Sequence, residues 1–398
     1  MTTIQAYLGD ETTHCGTAYV TQRRGRTSSA FTYATGYLSG AAPYAVDPEL
    51  RLTGGTQAVS APIPRAFADA APDRWGRRLI MRAHAGAGGV PRALSDLDFL
   101  LGVSDVTRQG ALRFATAVGG PFLSPGTTVP KLVALPGLLR AADAVARDAA
   151  DLSAALKTLL DAGTASLGGA RPKAAVLDEG KLFIAKFAHP QDVWDVMAWE
   201  KVALDLAAAA GITVPNNRLI RVAGRSVLLV ERFDRDGGRR IGYMSAMTLL
   251  GANDGDARDY LEIAEALTGI SADPQADLAE LFRRIALSVA VHNTDDHLRN
   301  HGLLHSGPGW RLSPVFDVNP NPSLGTPPTT TIGGADEPAG QIAALIEGSP
   351  LFGLATSVAV ATIDRVRTAV SAWREVARRW GIPRAEIEDF APVFTRLA

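Results

Sequence analysis

Between Val176 and Val230 the chain reads strand, turn, strand, helix, strand, turn, strand, and few architectures absorb that order. Val176-Leu177 and Leu182-Phe183-Ile184-Ala185-Lys186-Phe187 flank Asp178-Glu179-Gly180, the composition of a tight hairpin turn. A helix is expected over 192–210 and ends at Gly211, since glycine readily takes the left-handed conformation that closes a helix. Arg218–Val222 and Ser226–Val230 predict two further strands, turned at Ala223-Gly224.

The flanking sequence divides by pattern. Residues 1–60 read as strands and turns: Ile4-Gln5-Ala6-Tyr7-Leu8, then Gly16-Thr17-Ala18-Tyr19-Val20, then Ser28 to Tyr33. Residues 66–85 predict a helix with Phe67, Trp75, Leu79 and Ile80 on one face. In that reading Asp73-Arg74-Trp75-Gly76-Arg77-Arg78 is a charged helix surface with one buried Trp. A short helix is expected at Leu94–Leu101, capped by Ser95 or Asp96, followed by a strand at Gly110–Phe114. Residues 119–135 read as a linker, and Leu135–Ala162 as a helical run. From about 245 onward helices dominate. Ser323–Gly340 looks mobile, and amphipathic helices are expected near 353–380 and 384–397. No internal repeat is evident. The expected fold is α+β and bilobal, with a β-rich N-terminal subdomain at 1–118 and a linker and helix at 119–150. A sheet with a glycine-rich loop follows at 151–235, and a mostly helical C-terminal lobe at 236–398.

Composition narrows the function classes. At 398 residues, with 46% hydrophobic and 20% charged residues, the chain is long enough for two or three domains. A net charge of −1 gives no overall field toward nucleic acid or anionic membrane. The single cysteine, Cys15, rules out an internal disulfide and suits a reducing cytoplasm. Neither a leader peptide nor an apolar run long enough to span a membrane is expected.

The densest chemistry lies in His292-Asn293-Thr294-Asp295-Asp296-His297-Leu298-Arg299-Asn300, followed by Pro314-Val315-Phe316-Asp317. Phosphoryl transfer from ATP needs one carboxylate to orient the attacking hydroxyl and take its proton. It also needs hard oxygen ligands for the magnesium that neutralises the phosphates. Asp295, Asn300 and Asp317 supply that set, although polar loops share the local pattern. Four histidines, His292, His297, His301 and His305, cluster here too, and zinc would accept a pair such as His297 and His301. The Asp-Asp-His-x-x-Asn context favours magnesium instead. No Gly-x-Ser-x-Gly elbow points to a hydrolase.

Upstream residues extend the set. Lys186 ends an apolar strand, where a lysine is unexpected. Glu200 falls on the apolar stripe of the 192–210 helix, formed by Val193, Val196, Met197, Ala203, Leu204 and Ala207. A buried carboxylate needs a partner, and Lys186 is the candidate. Ser166-Leu167-Gly168-Gly169-Ala170-Arg171-Pro172-Lys173 can turn successive backbone N–H groups toward one anion, with Lys173 adding charge. It lacks the Gly-Lys-Ser/Thr ending of a Walker loop, and a plain turn has the same composition. Glu231-Arg232-Phe233-Asp234-Arg235 leaves the last strand where a hinge would bond adenine, or as a charged strand exit.

Taken in order, these motifs resemble the HipA-like serine/threonine kinases, toxins of bacterial toxin–antitoxin pairs. The resemblance runs from Pro72-Asp73-Arg74-Trp75-Gly76-Arg77-Arg78 and Gly110 to Phe114, through Ser166 to Lys173, Lys186, Glu200 and Glu231 to Arg235, to Asp295 to Asn300 and Pro314 to Asp317. It implies Asp295 as catalytic base, Asn300 and Asp317 as magnesium ligands, and Lys186 as the phosphate-binding lysine. Gly168, Gly169, Ala170, Lys173, Glu200, Glu231, Phe233 and His297 would complete the ATP site, and Ser166 would be autophosphorylated. It further implies a helix-turn-helix antitoxin as partner, DNA bound only through that complex, and an aminoacyl-tRNA synthetase as target. Asp296 stands where some members have glycine, and Leu298-Arg299 replaces an Ala-Lys-like pair. A non-catalytic, nucleotide-binding co-repressor and a small-molecule kinase of the same fold are the alternatives.

Overall fold

Continuous burial along the first strand, and alternating burial along the next two, organise the N-terminal sheet. A computed structural model describes residues 1–10, 12–23, 26–86, 93–123, 128–147, 152–164 and 169–396. Strands β1 (Thr2–Leu8), β2 (Thr13–Arg23), β3 (Arg26–Tyr33), β4 (Thr56–Val59) and β5 (Leu112–Ala115) form an antiparallel sheet in the order β4-β3-β2-β1-β5. Ile4, Phe31, Phe67 and Phe114 meet in its core, with ring pairs at 4.6 and 6.0 Å. Cys15 lies in this core, and burial pushes its thiol up to about 12, which leaves it unreactive at neutral pH.

The helix expected over 66–85 is two helices, Arg65–Asp69 and Arg74–Gly86. Pro72 separates them, because proline disfavours helical backbone in the residue before it. The short helix is Asp96–Leu101. Its cap is Ser95, whose hydroxyl accepts from the Asp98 N–H while Asp98 accepts from the Ser95 N–H. The run after 135 gives helices Leu135–Ala146 and Ser153–Asp161.

The second sheet matches the expected order of strands. β6 (Lys173–Asp178) and β7 (Lys181–Phe187) form a hairpin through Glu179 and Gly180, whose φ angles of 48° and 80° suit a two-residue turn. β8 (Asn217–Val222) and β9 (Arg225–Glu231) turn at Ala223 and Gly224, also at positive φ. The sheet order is β6-β7-β9-β8.

By contacts the chain separates into two compact units. One is Met1–Gln191 with Arg221–Met244; the other is Asp192–Ile220 with Ser245–Ala398. The second is largely helical: Val196–Ala209, Tyr260–Ile270, Pro274–Ala290, Pro338–Glu347, Thr356–Ser371, Trp373–Arg379 and Arg384–Thr395. Trp199 stacks on Phe390 at 3.8 Å, and Trp373 on Phe394 at 4.5 Å. The Val196–Ala209 helix starts later than expected, because the Asp195 side chain caps it by accepting from Ala198 N–H. Val193 therefore precedes the helix and is exposed rather than part of its apolar stripe. Gly211, at φ +76°, closes it as expected.

Ser323–Gly340 is fastened rather than loose. Thr330-Thr331 pairs in parallel with Arg258-Asp259, and Thr329 N–H donates to the Thr294 carbonyl at 2.9 Å. A Gly, Pro and Thr composition suggests freedom, but threonine hydroxyls and backbone amides can pair over long range.

Candidate active site

The Pro274–Ala290 helix stops just before the polar motif. Its continuation, His292–Asn300, is a loop that enters the hairpin Gly302–Ser306 and Gly309–Leu312. His292 begins the loop at φ 55°. Its Nε2 donates to the Ser323 carbonyl, and Arg396 donates to its Nδ1. Those bonds require the neutral ring, and burial followed by the nearby Arg396 charge outweighs the Ser323 bond to lower its pKa.

The two adjacent carboxylates have opposite surroundings. Asp295 is exposed, and its carbonyl accepts from the Asn300 side-chain amide at 3.2 Å and from His297 N–H at 3.1 Å. Asp296 is buried. Tyr260 donates to its Oδ2 at 2.6 Å and Ser288 at 2.9 Å. His301 Nε2 lies 3.2 Å from Oδ1, close enough for an ion pair but off the line of a good hydrogen bond. Burial alone would raise the Asp296 carboxyl; His301, Tyr260 and Ser288 hold it below the usual range.

Asp317 is brought alongside this loop. Asn321 N–H donates to the His292 carbonyl at 3.1 Å, and the Asn321 side chain to Thr294 Oγ1 at 2.8 Å. Asn319 N–H donates to Asn293 Oδ1 at 3.2 Å, and the Asn319 side chain to Asp317 Oδ1 at 3.3 Å. Asp317 has φ 60°, a costly conformation for a residue with a Cβ, held by its neighbours. The buried Arg284 donates to the Ser313 carbonyl at 2.6 Å and pairs with Glu280 at 2.9 Å, fixing the approach to Pro314. With the Asn300 Nδ2 turned to Asp295, its Oδ1 remains as a hard donor. Together with the Asp317 carboxylate it fits a magnesium ion by donor chemistry.

The other unit carries the cationic residues. Lys173 and Lys186 are opposite partners on β6 and β7, so they share a face of the sheet, and both are buried. Gly169 has φ +89°, and any side chain there would collide with Lys173 Nζ. Its N–H donates to Asp73 Oδ2 at 2.8 Å, and its carbonyl accepts from Trp75 N–H at 3.2 Å. The segment read as a charged helix surface thus anchors the end of the glycine-rich stretch. Ala170 is exposed. Ser166, Leu167 and Gly168 lie outside the described residues. Glu200 is buried on its helix, as the periodicity implies.

Glu231-Arg232-Phe233-Asp234-Arg235 splits by alternation. Glu231 and Phe233 are partly exposed, and Lys181 pairs with Glu231 at 2.9 Å. Arg232 and Asp234 turn inward. Asp234 accepts from Arg232, from Arg235 at 2.8 Å and from Gly110 N–H at 2.7 Å. The two guanidinium groups overcome burial and hold its carboxyl far below the usual range. Arg232 and Arg235 also donate to the Thr107 and Arg108 carbonyls. The inward half of this motif therefore ties the end of β9 to the 107–110 segment. Asp73, Asp234, Arg284 and Asp296 were not singled out as site residues by sequence reading. Only Arg284, next to Ile285-Ala286-Leu287, carried a local signal, a charge on an apolar helix; the neighbours of the three aspartates are largely polar.

The pattern of the HipA-like C-terminal domain matches residues 165–374, just over half of the chain. Over 131 residues the chain is 30% identical to "Putative kinase Y4mE" of Sinorhizobium fredii, covering 30% of this chain and 31% of that protein. Over 146 residues it is 27% identical to a "Putative kinase" of Haemophilus influenzae, covering 31% of this chain and 42% of that protein. The matched stretches are thus less than half the length of either relative. The HipA of Shewanella oneidensis, solved with HipB and its operator DNA, superposes with a TM-score of 0.70 at 17% identity, covering 99% of this chain and 95% of that one. The last likeness shows the fold.

Proposed function

We propose that this chain, which belongs to the HipA-like C-terminal domain family, transfers the γ-phosphoryl group of ATP to a serine or threonine hydroxyl of a protein. One observation carries the reading: Asp295 is exposed, its carbonyl is held by Asn300, and hydrogen bonds through Asn319 and Asn293 tether Asp317 to the same loop. In this reading Asp295 orients the hydroxyl and takes its proton as oxygen bonds to Pγ and the bond from Pγ to the β,γ-bridging oxygen breaks. Asn300 and Asp317 would hold magnesium, which neutralises charge on the phosphates when bound. Lys186, Lys173 and the Gly168-Gly169-Ala170 stretch would take the phosphates. Glu231 and Phe233 would line the adenine, and His297 would complete the nucleotide-binding set.

The partners follow the same reading. A DNA-binding helix-turn-helix antitoxin is proposed because the Shewanella HipA was solved with HipB and operator DNA. An aminoacyl-tRNA synthetase target and growth arrest rest on the family resemblance, and a cytoplasmic location on the single cysteine, Cys15. Among the described residues no helix is long and apolar enough to cross a membrane.

The test is phosphotransfer from labelled ATP with magnesium. Asp295→Asn and Asp317→Asn should each lose on the order of a thousandfold in rate while unfolding like wild type. Near wild-type transfer by folded Asp295→Asn would overturn the assignment.

A further inference from the structure

We propose that Asp296 is a positioning residue for phosphoryl transfer: the buried anchor that holds its neighbour, Asp295, in its working orientation. The inference rests on the kinase reading above and assigns a role to a residue that the catalytic set leaves out.

Groups from four separate places converge on this residue. Tyr260 comes from the Tyr260–Ile270 helix and Ser288 from the Pro274–Ala290 helix, and both donate to Oδ2. His301, at the start of the hairpin, faces Oδ1. Thr330 Oγ1, on the segment paired with Arg258-Asp259, donates to the Asp296 carbonyl at 2.6 Å. On the other side of the 295–296 peptide, the Asp295 carbonyl accepts from Asn300 Nδ2 and His297 N–H. Both flanking carbonyls are thereby held, and one of the two adjacent side chains is anchored inside. The Asp295 carboxylate is left exposed on a backbone with little rotational freedom.

A buried carboxylate with three polar neighbours is expensive to assemble, and a plain surface loop gains nothing from one. A reacting group gains a great deal, since displacement of about 1 Å can cost on the order of a hundredfold in rate. The Asp296 side chain is an acceptor only, through its two carboxylate oxygens. Asparagine, nearly the same shape, would offer an NH2 group to Tyr260 and Ser288 or to His301, and one side of the anchor would fail.

The experiment is a double-mutant cycle on the full chain, reading kcat and the KM for ATP in phosphotransfer. Asp296→Asn should lower kcat at least tenfold with the KM for ATP changed less than twofold. In the Asp295→Asn background the same change should cause less than a twofold further loss, because Asp296 acts through Asp295. Tyr260→Phe, which removes one donor and no volume to speak of, should lower kcat several-fold by the same route. It carries the comparison if Asp296→Asn does not fold. Unchanged kcat in a folded Asp296→Asn, or an equal loss with and without the Asp295 carboxylate, overturns the positioning role and leaves the kinase reading standing. A wild-type chain that transfers no phosphoryl group overturns both.

Discussion

Removing Asp234 should destabilise the unit that contains it more than any surface change. The side chain is 2% exposed and accepts from Arg232, Arg235 and the Gly110 N–H. In Asp234→Ala, two largely buried guanidinium groups lose their shared counter-charge and a buried amide loses its acceptor. Breaking a buried pair from one side costs about 3–5 kcal/mol. The orphaned N–H is part of that loss rather than an addition to it. For a unit of this size the midpoint of thermal unfolding should fall by about 6–20 °C. Five of the six tryptophans, Trp194, Trp199, Trp310, Trp373 and Trp380, lie in the other unit, so intrinsic fluorescence is the wrong probe. Urea unfolding followed by circular dichroism, with amide exchange at Gly110, reads the right region. The pH dependence has a definite sign. The folded carboxyl titrates far below its unfolded value of about 3.9. Its stabilisation is therefore present above that value and lost as pH falls toward the folded pKa. Wild type should lose stability on acidification below about pH 4, and Asp234→Ala should lose less over the same range. A cost under about 1 kcal/mol at neutral pH, or identical acid slopes, would refute the reasoning.

Two further outcomes are expected. Gly169→Ala forces a side chain into left-handed backbone, against Lys173 Nζ, at a cost of about 1–2 kcal/mol; the KM for ATP should rise several-fold while the unfolding midpoint falls by only about 2–8 °C, and an unchanged KM would remove Gly169 from the phosphate site. Wild type incubated with ATP and magnesium should become phosphorylated on Ser166 and lose ATP affinity, because the added phosphate carries about −1.5 to −2 charges. Mass spectrometric mapping and nucleotide titration check this, and full affinity in the modified form would defeat it.

What the sequence alone determined is what a few neighbouring residues decide. Glu179-Gly180 and Ala223-Gly224 turn because their backbones can reach positive φ, and both hairpins appear where the turn residues put them. Gly211 ends its helix, and the start of the short helix was legible to within one residue, as Ser95 or Asp96, with the structure choosing Ser95. Burial of Glu200 followed from helical spacing. Partners were a different matter. Asp295 and Asp296 are identical in type and adjacent in the chain, and no local rule says which one faces water. Tyr260, Ser288, His301 and Thr330 decide it, from as far as 36 residues away. Asp73 meets Gly169 across 96 residues, and Asp234 meets Gly110 across 124. Backbone dihedral preferences are set within a turn or two of chain, so they can be read in order. A buried charge is stable only beside whatever the completed fold brings to it, and that choice belongs to the tertiary structure.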